Sequence, residues 1–113
     1  MLSQERIETI VRNLCSEVQA LFPGDEIEPI LFGSYARGDE ETDSDIDVLL
    51  LVNASRETIS EHNWQIGDLA AVYLLDYGVV VSPIVENRAY YYSNSEVLPF
   101  YRNIQREGVK ISA

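Results

Sequence analysis

Cysteine, histidine and tryptophan each occur once in this 113-residue chain, and basic residues are scarce. With no second cysteine, Cys15 cannot form an internal disulfide, so the expected compartment is the cytosol. No histidine lies near Cys15 in sequence, which favours a buried inert thiol over a nucleophile. Eight Lys and Arg stand against nineteen Asp and Glu, a net charge of −11. Such a chain repels polyphosphate, which argues against a general DNA or RNA binder. ATP stays compatible, because a metal ion brings positive charge locally. The same charge favours a basic protein partner, or serves solubility alone. No apolar run is long enough to span a membrane, and the start does not read as a signal peptide. There is no internal repeat and no low-complexity linker. The length fits one domain, 1–113, and 46% hydrophobic content supports a modest core.

The chemistry concentrates in Leu31–Val52, LFGSYARGDEETDSDIDVLLLV. Residues i and i+2 of a strand share a face, so Asp45 and Asp47 set two carboxylates side by side at the polar end of an apolar strand. Such a pair is neutralised by a shared proton or a cation, and hard oxygen donors suit Mg²⁺ with substrate phosphates. Gly33 lets the backbone approach a ligand closely. A helix opening at Ser34 would add free N–H groups and a hydroxyl for an anion. The loop Asp39–Ser44 reads as solvated surface, with Asp43, just before the pair, the acid nearest to a ligand role.

Around this stretch, Ser3–Phe22 reads as an amphipathic helix with Ser3 as N-cap, stopped by Pro23-Gly24. Ile27–Phe32 is a short strand and Ser34–Gly38 a short helix. Ile46–Val52 is apolar on both faces, hence a central strand. Arg56–Tyr77 reads as one long helix, capped by Ser55 and Gly78, with Ile59, Ile66, Leu69, Ala70, Val72, Tyr73 and Leu74 on one broad apolar face. Gly67 inside it suggests a close packing contact. His62 and Trp64 on its first half read as surface or core residues. Val79–Val85 is a strand that Pro83 places at an edge. Glu86–Asn94 reads as a loop, whose Tyr90-Tyr91-Tyr92 either packs over the sheet edge or offers an interface. Ser95–Glu107 is a last helix with Pro99 in its first turn, and Val109-Lys110-Ile111 an optional final strand.

Phe32-Gly33-Ser34, ten residues, then Asp45-Ile46-Asp47-Val48 resembles the signature of the DNA polymerase beta nucleotidyltransferase superfamily. With Arg37-Gly38 and Ser44 included, it is similar to the minimal nucleotidyltransferase (MNT) proteins. The resemblance implies an α/β fold, a small mixed sheet with helices against it, and the element order α-β-α-β-α-β-α with an optional last strand agrees. It implies attack of an acceptor hydroxyl on the α-phosphorus of a nucleoside triphosphate, with two metal ions about 3.5–4 Å apart. Asp45 and Asp47 would be the catalytic residues and would hold Mg²⁺; Gly33 and Ser34 would hold the triphosphate. Arg37 is open between charge neutralisation on the phosphates and a structural role. Ser44, counted with Gly33, Ser34 and Arg37 among the nucleotide-binding residues that the resemblance implies, is placed to fix the turn by a side chain–backbone hydrogen bond.

The resemblance also asks for a third acid on a later strand. Val79–Val85 contains none, and Ser82 takes approximately that place. A neutral hydroxyl is a weaker Mg²⁺ ligand and a poor general base. Asp68 and Asp76 read as solvated helix residues and Glu86 as a loop-surface residue, so none is a good substitute. Three functions therefore compete. In the first, an MNT antitoxin transfers AMP from ATP to a helical HEPN ribonuclease toxin. In the second, a catalytically impaired module neutralises a partner by contact through the acidic surface and Tyr90–Tyr92. The third, ranked last, is a small-molecule nucleotidyltransferase. Homo- or hetero-oligomers stay open.

Overall fold

The elements follow from local punctuation. A computed structural model describes residues 2–41 and 44–112; Asp43, expected near the carboxylate pair, lies outside the described residues. Helix α1, Gln4–Gln19, starts where the Ser3 hydroxyl accepts from Arg6 N–H at 3.1 Å. Its stripe Ile7, Ile10, Val11, Leu14 and Val18 is buried. Strand β1 is Glu28–Phe32 and the one-turn helix α2 is Ser34–Arg37. Strand β2 is Ile46–Val52, as the apolar run predicts. Ser55 caps α3, Arg56–Glu61, accepting from Thr58 N–H at 3.2 Å.

Where one helix was expected over Arg56–Tyr77, the chain breaks at His62 and resumes as α4, Asn63–Tyr77. His62 sits at φ −105°, its Nδ1 is 2.8 Å from Thr58 O, and its ring packs on Phe22 with centroids 5.0 Å apart. The break thus coincides with a local side chain–backbone contact and a tertiary ring contact, neither of which the apolar spacing encodes. Gly67 has nothing within 4 Å of a Cβ placed on it, so the expected close contact is absent. The broad apolar face is also narrower than expected: Ile66 and Tyr73 are buried, but Val72 and Leu74 are exposed.

Strand β3 is Val81–Asn87, two residues later than the sequence suggests. Arg88–Asn94 forms helix α5 rather than a loop, because Asn87 caps it by accepting from Tyr90 N–H at 2.9 Å. Helix α6, Pro99–Glu107, begins on its proline, and β4 is Val109–Lys110.

The four strands form one mixed sheet in the order β3-β2-β1-β4. β2 is central: it pairs antiparallel with β1 and parallel with β3. β3 lies at an edge, as Pro83 requires. Alternation along β2 sends Ile46, Val48, Leu50 and Val52 into the core shared with α1 and α4. Leu49 and Leu51 point the other way, against Tyr91 of α5 and Ile104 of α6. Asp47 shares parity with Leu49 and Leu51, so it belongs to the α6 face. No helix among the described residues is long and apolar enough to cross a membrane.

Candidate functional site

β1 and α2 meet at Gly33, which has φ +75° and ψ −157°. That conformation is essentially restricted to glycine. The reason is visible across the strand pair. Phe32 and Asp47 are register partners, and a Cβ on Gly33 would overlap the Asp47 carboxylate. The Gly33 backbone and the Asp47 side chain are thus in direct contact. α2 then makes a single turn, with the Ala36 and Arg37 amides donating to Gly33 O, both at 3.1 Å, and Gly38 closing it in the left-handed region.

Asp45 precedes β2 by one residue and is exposed; Asp47 is half-buried. Burial raises the Asp47 carboxyl above the usual carboxylate range; the charge of Asp45 adds to the rise and Arg37 opposes it. The two acids therefore interact electrostatically, as the spacing predicts. Ser44 accepts from Glu41 N–H at 2.7 Å through its hydroxyl and donates its own N–H to Glu41 O at 3.0 Å, which ties the residue just before Asp45 to Glu41. Arg37 is exposed and held by carboxylates on both sides: Asp39 at 3.2 Å and Glu107 at 3.6 Å.

The parallel register pairs Asp47 with Ser82. Ser82 is thus the β3 residue beside the carboxylates, on the same face. Glu86 is not a loop residue: it lies in β3, 6% exposed, four positions further along. Its carboxylate accepts from Tyr101 Oη at 2.6 Å, Asn87 N–H at 2.7 Å and Arg56 Nε at 3.2 Å. Those bonds commit it to the opposite end of the strand. Asp68 and Asp76 are exposed on α4, which covers the other face of the sheet.

Among the described residues no three His, Cys, Asp or Glu side chains gather to hold a metal ion. Two adjacent carboxylates, one of them disfavoured when charged, still suit a divalent cation that takes its remaining oxygens from phosphate and water.

A pocket of about 390 Å³ opens beside Asp47. Gly33, Ser34, Arg37 and Asp47 form one side of it. The other side is α6, through Phe100, Asn103, Ile104 and Glu107, with Phe32 between. The i, i+3, i+4, i+7 spacing of the α6 residues is legible in the sequence, but not the surface they face. The tyrosine triplet is largely occupied within the fold. Tyr91 is fully buried, Tyr90 lies under Arg56 with the guanidinium carbon 3.8 Å from its ring centre, and Tyr92 donates its hydroxyl to Glu28. The two most exposed large apolar side chains among the described residues are on α4, Trp64 at 78% and Leu75 at 81%.

Comparison with known proteins agrees with this geometry. The nucleotidyltransferase domain family matches residues 11–109. Two chains of Methanocaldococcus jannaschii, each named "putative protein adenylyltransferase", are 33% and 31% identical over 102 residues. The alignments cover 89% and 90% of this chain and 93% and 95% of those relatives. A chain in the crystal structure of a toxin-antitoxin with AMP-PNP has the same fold, with a TM-score of 0.58 at 18% identity, over 94% of this chain and 73% of that one. With the Gly33-Ser34 turn packed on Asp47 and the family matched over most of its length, the chain belongs to the nucleotidyltransferase domain family, as a minimal nucleotidyltransferase of the DNA polymerase beta superfamily.

Proposed function

We propose that residues 1–113 act as one cytoplasmic nucleotidyltransferase domain that binds ATP with Mg²⁺ and transfers AMP to a hydroxyl of a partner protein. The observation that carries this reading is the contact between the Gly33 backbone and the Asp47 carboxylate, with Asp45 alongside. Asp45 and Asp47 would hold Mg²⁺, and Gly33 and Ser34 would seat the triphosphate. Bound there, the cation supplies positive charge to the phosphates. Arg37 leaves Asp39 or Glu107 to meet a phosphate oxygen, and Ser44 holds the loop before Asp45. In the reaction the acceptor oxygen bonds to the α-phosphorus, the bond to the pyrophosphate oxygen breaks, and the hydroxyl proton passes to solvent. The acceptor enters along β3, where Ser82 stands beside Asp47. The partner is a helical toxin of the HEPN type, and this chain is its antitoxin. The structural neighbour, a toxin-antitoxin with AMP-PNP, supports that setting.

A second reading draws on Ser82. With serine rather than an acid opposite Asp47, neutralisation by contact needs no turnover, and the exposed apolar residues of α4 offer the surface. The two readings separate when the protein is incubated with labelled ATP, Mg²⁺ and the product of the neighbouring gene. Transfer predicts label on the partner that is lost in the Asp45→Ala, Asp47→Ala double variant. Neutralisation that persists in that variant, with no label in either, rejects transfer.

A further inference from the structure

Half of the pocket beside Asp47 is not used by phosphate or cation in the reading above. That half is α6. Ile104, 3% exposed, anchors the helix against Ile30 and Leu49. Phe100 stands edge to face on Phe32, with centroids 5.6 Å apart and planes at 85°. Even so, its ring is 47% exposed, at the wall of a pocket that continues to Gly33 and Asp47. One turn further, Asn103 Oδ1 accepts from Arg106 Nη2 at 3.0 Å, which leaves the Asn103 amide NH₂ as a donor. Below them Glu107 places a carboxylate 3.6 Å from Arg37. That charge is shared with Arg37 and, at 3.9 Å, with Arg106, so the surface this wall leaves for a ligand is the Phe100 ring and the Asn103 amide. The α6 side therefore suits the uncharged end of a nucleotide, and the Gly33–Asp47 side suits the charged end. The pocket, about 390 Å³, is within the size range of small-ligand sites.

We propose that Phe100 and Asn103 form the nucleobase half of the site, selective for a purine. Phe100 stacks on the base, and the Asn103 amide donates to a ring nitrogen. A purine covers more of the Phe100 ring than a pyrimidine does. This assignment rests on the nucleotide reading and adds which part of the nucleotide α6 takes.

The test is calorimetric titration of the whole chain in Mg²⁺ with ATP, UTP and inorganic tripolyphosphate, the last being a ligand with phosphates and no base. Phe100→Leu keeps apolar volume against Phe32 but removes the stacking face; Asn103→Ala changes an exposed position. Circular dichroism checks that both variants are folded. The wild-type protein binds ATP more tightly than UTP and than tripolyphosphate. Phe100→Leu weakens ATP binding by roughly ten-fold, as loss of one base–aromatic stack does, and leaves tripolyphosphate unchanged. Asn103→Ala narrows the gap between ATP and UTP. The assignment is overturned if ATP affinity is unchanged in Phe100→Leu, if ATP and tripolyphosphate weaken equally, or if the wild type does not distinguish them. A wild type that binds none of the three removes the nucleotide reading itself, and the base assignment with it.

Discussion

Replacing Gly33 with alanine should damage fold and site together, and the two costs can be separated. The first is backbone strain. At φ +75° and ψ −157° Gly33 occupies a region closed to side chains, for which holding another residue costs about 1–3 kcal/mol. The second is steric: the new methyl overlaps the Asp47 carboxylate and must displace it. Gly24 supplies the control. Its φ is +80°, but nothing lies within 4 Å of a Cβ there, so Gly24→Ala meets strain alone. Urea unfolding followed by circular dichroism should show both variants destabilised, Gly33→Ala more than Gly24→Ala. Each kcal/mol lowers the melting temperature of a small domain by about 4–8 °C. Adding Asp47→Ala to Gly33→Ala removes the overlapped group, so the double variant should lose less stability than the two single losses added together. Equal losses at Gly33 and Gly24, or simple additivity of Gly33→Ala with Asp47→Ala, would refute the claim that the Gly33 backbone and Asp47 are in contact.

Three further outcomes are expected. Gly67 is helical, exposed and free of close neighbours, so Gly67→Ala should stabilise the protein by up to about 1 kcal/mol in the same urea assay; destabilisation would mean that the position is packed. Burial pushes the Cys15 thiol up to about 11 from 9.0. The folded state therefore favours the neutral thiol, a contribution that is complete below pH 9.0 and lost as pH rises through about 11. Cys15 should react slowly with a thiol reagent at neutral pH, and the fall in urea midpoint over that window should shrink in Cys15→Ala; rapid labelling of the native protein would contradict the burial. Ser82→Asp sets an acid beside Asp47 in the parallel register and should raise any AMP transfer above wild type in the labelled-ATP assay. Unchanged turnover would show that Ser82 does not stand where the acceptor-side acid belongs.

Much of the frame was readable because its signals are local. Ser3, Ser55 and Gly78 punctuate helices through bonds to residues within about a turn, Pro99 does so by its fixed φ at the first helical position, and the apolar run Ile46–Val52 needs no partner to be read as a central strand. Gly33, Ser34, Arg37 and Asp47 line one pocket, and Asp45 interacts electrostatically with Asp47. What escaped depends on residues far apart in the chain. Glu86 looks like a loop acid, but its partners Arg56 and Tyr101 come from 30 and 15 residues away. His62, at the break between α3 and α4, packs on Phe22, a contact that no helical periodicity encodes. Asp25 caps the end of β2, accepting from the N–H groups of Asn53 at 2.8 Å and Ala54 at 3.0 Å, partners 28 and 29 residues away in the chain. The α6 wall of the pocket was hidden for the same reason: its spacing marks a helix face but not that this face closes over Asp47.

The central claim is that Gly33-Ser34 and the Asp45–Asp47 pair form a Mg²⁺-nucleotide site. The most direct measurement is titration of ATP into the wild-type protein and into Asp47→Asn, each with and without Mg²⁺. The account predicts Mg²⁺-dependent binding to the wild type and much weaker binding to a folded Asp47→Asn. Equal affinity in the two proteins, or binding indifferent to Mg²⁺, would contradict it.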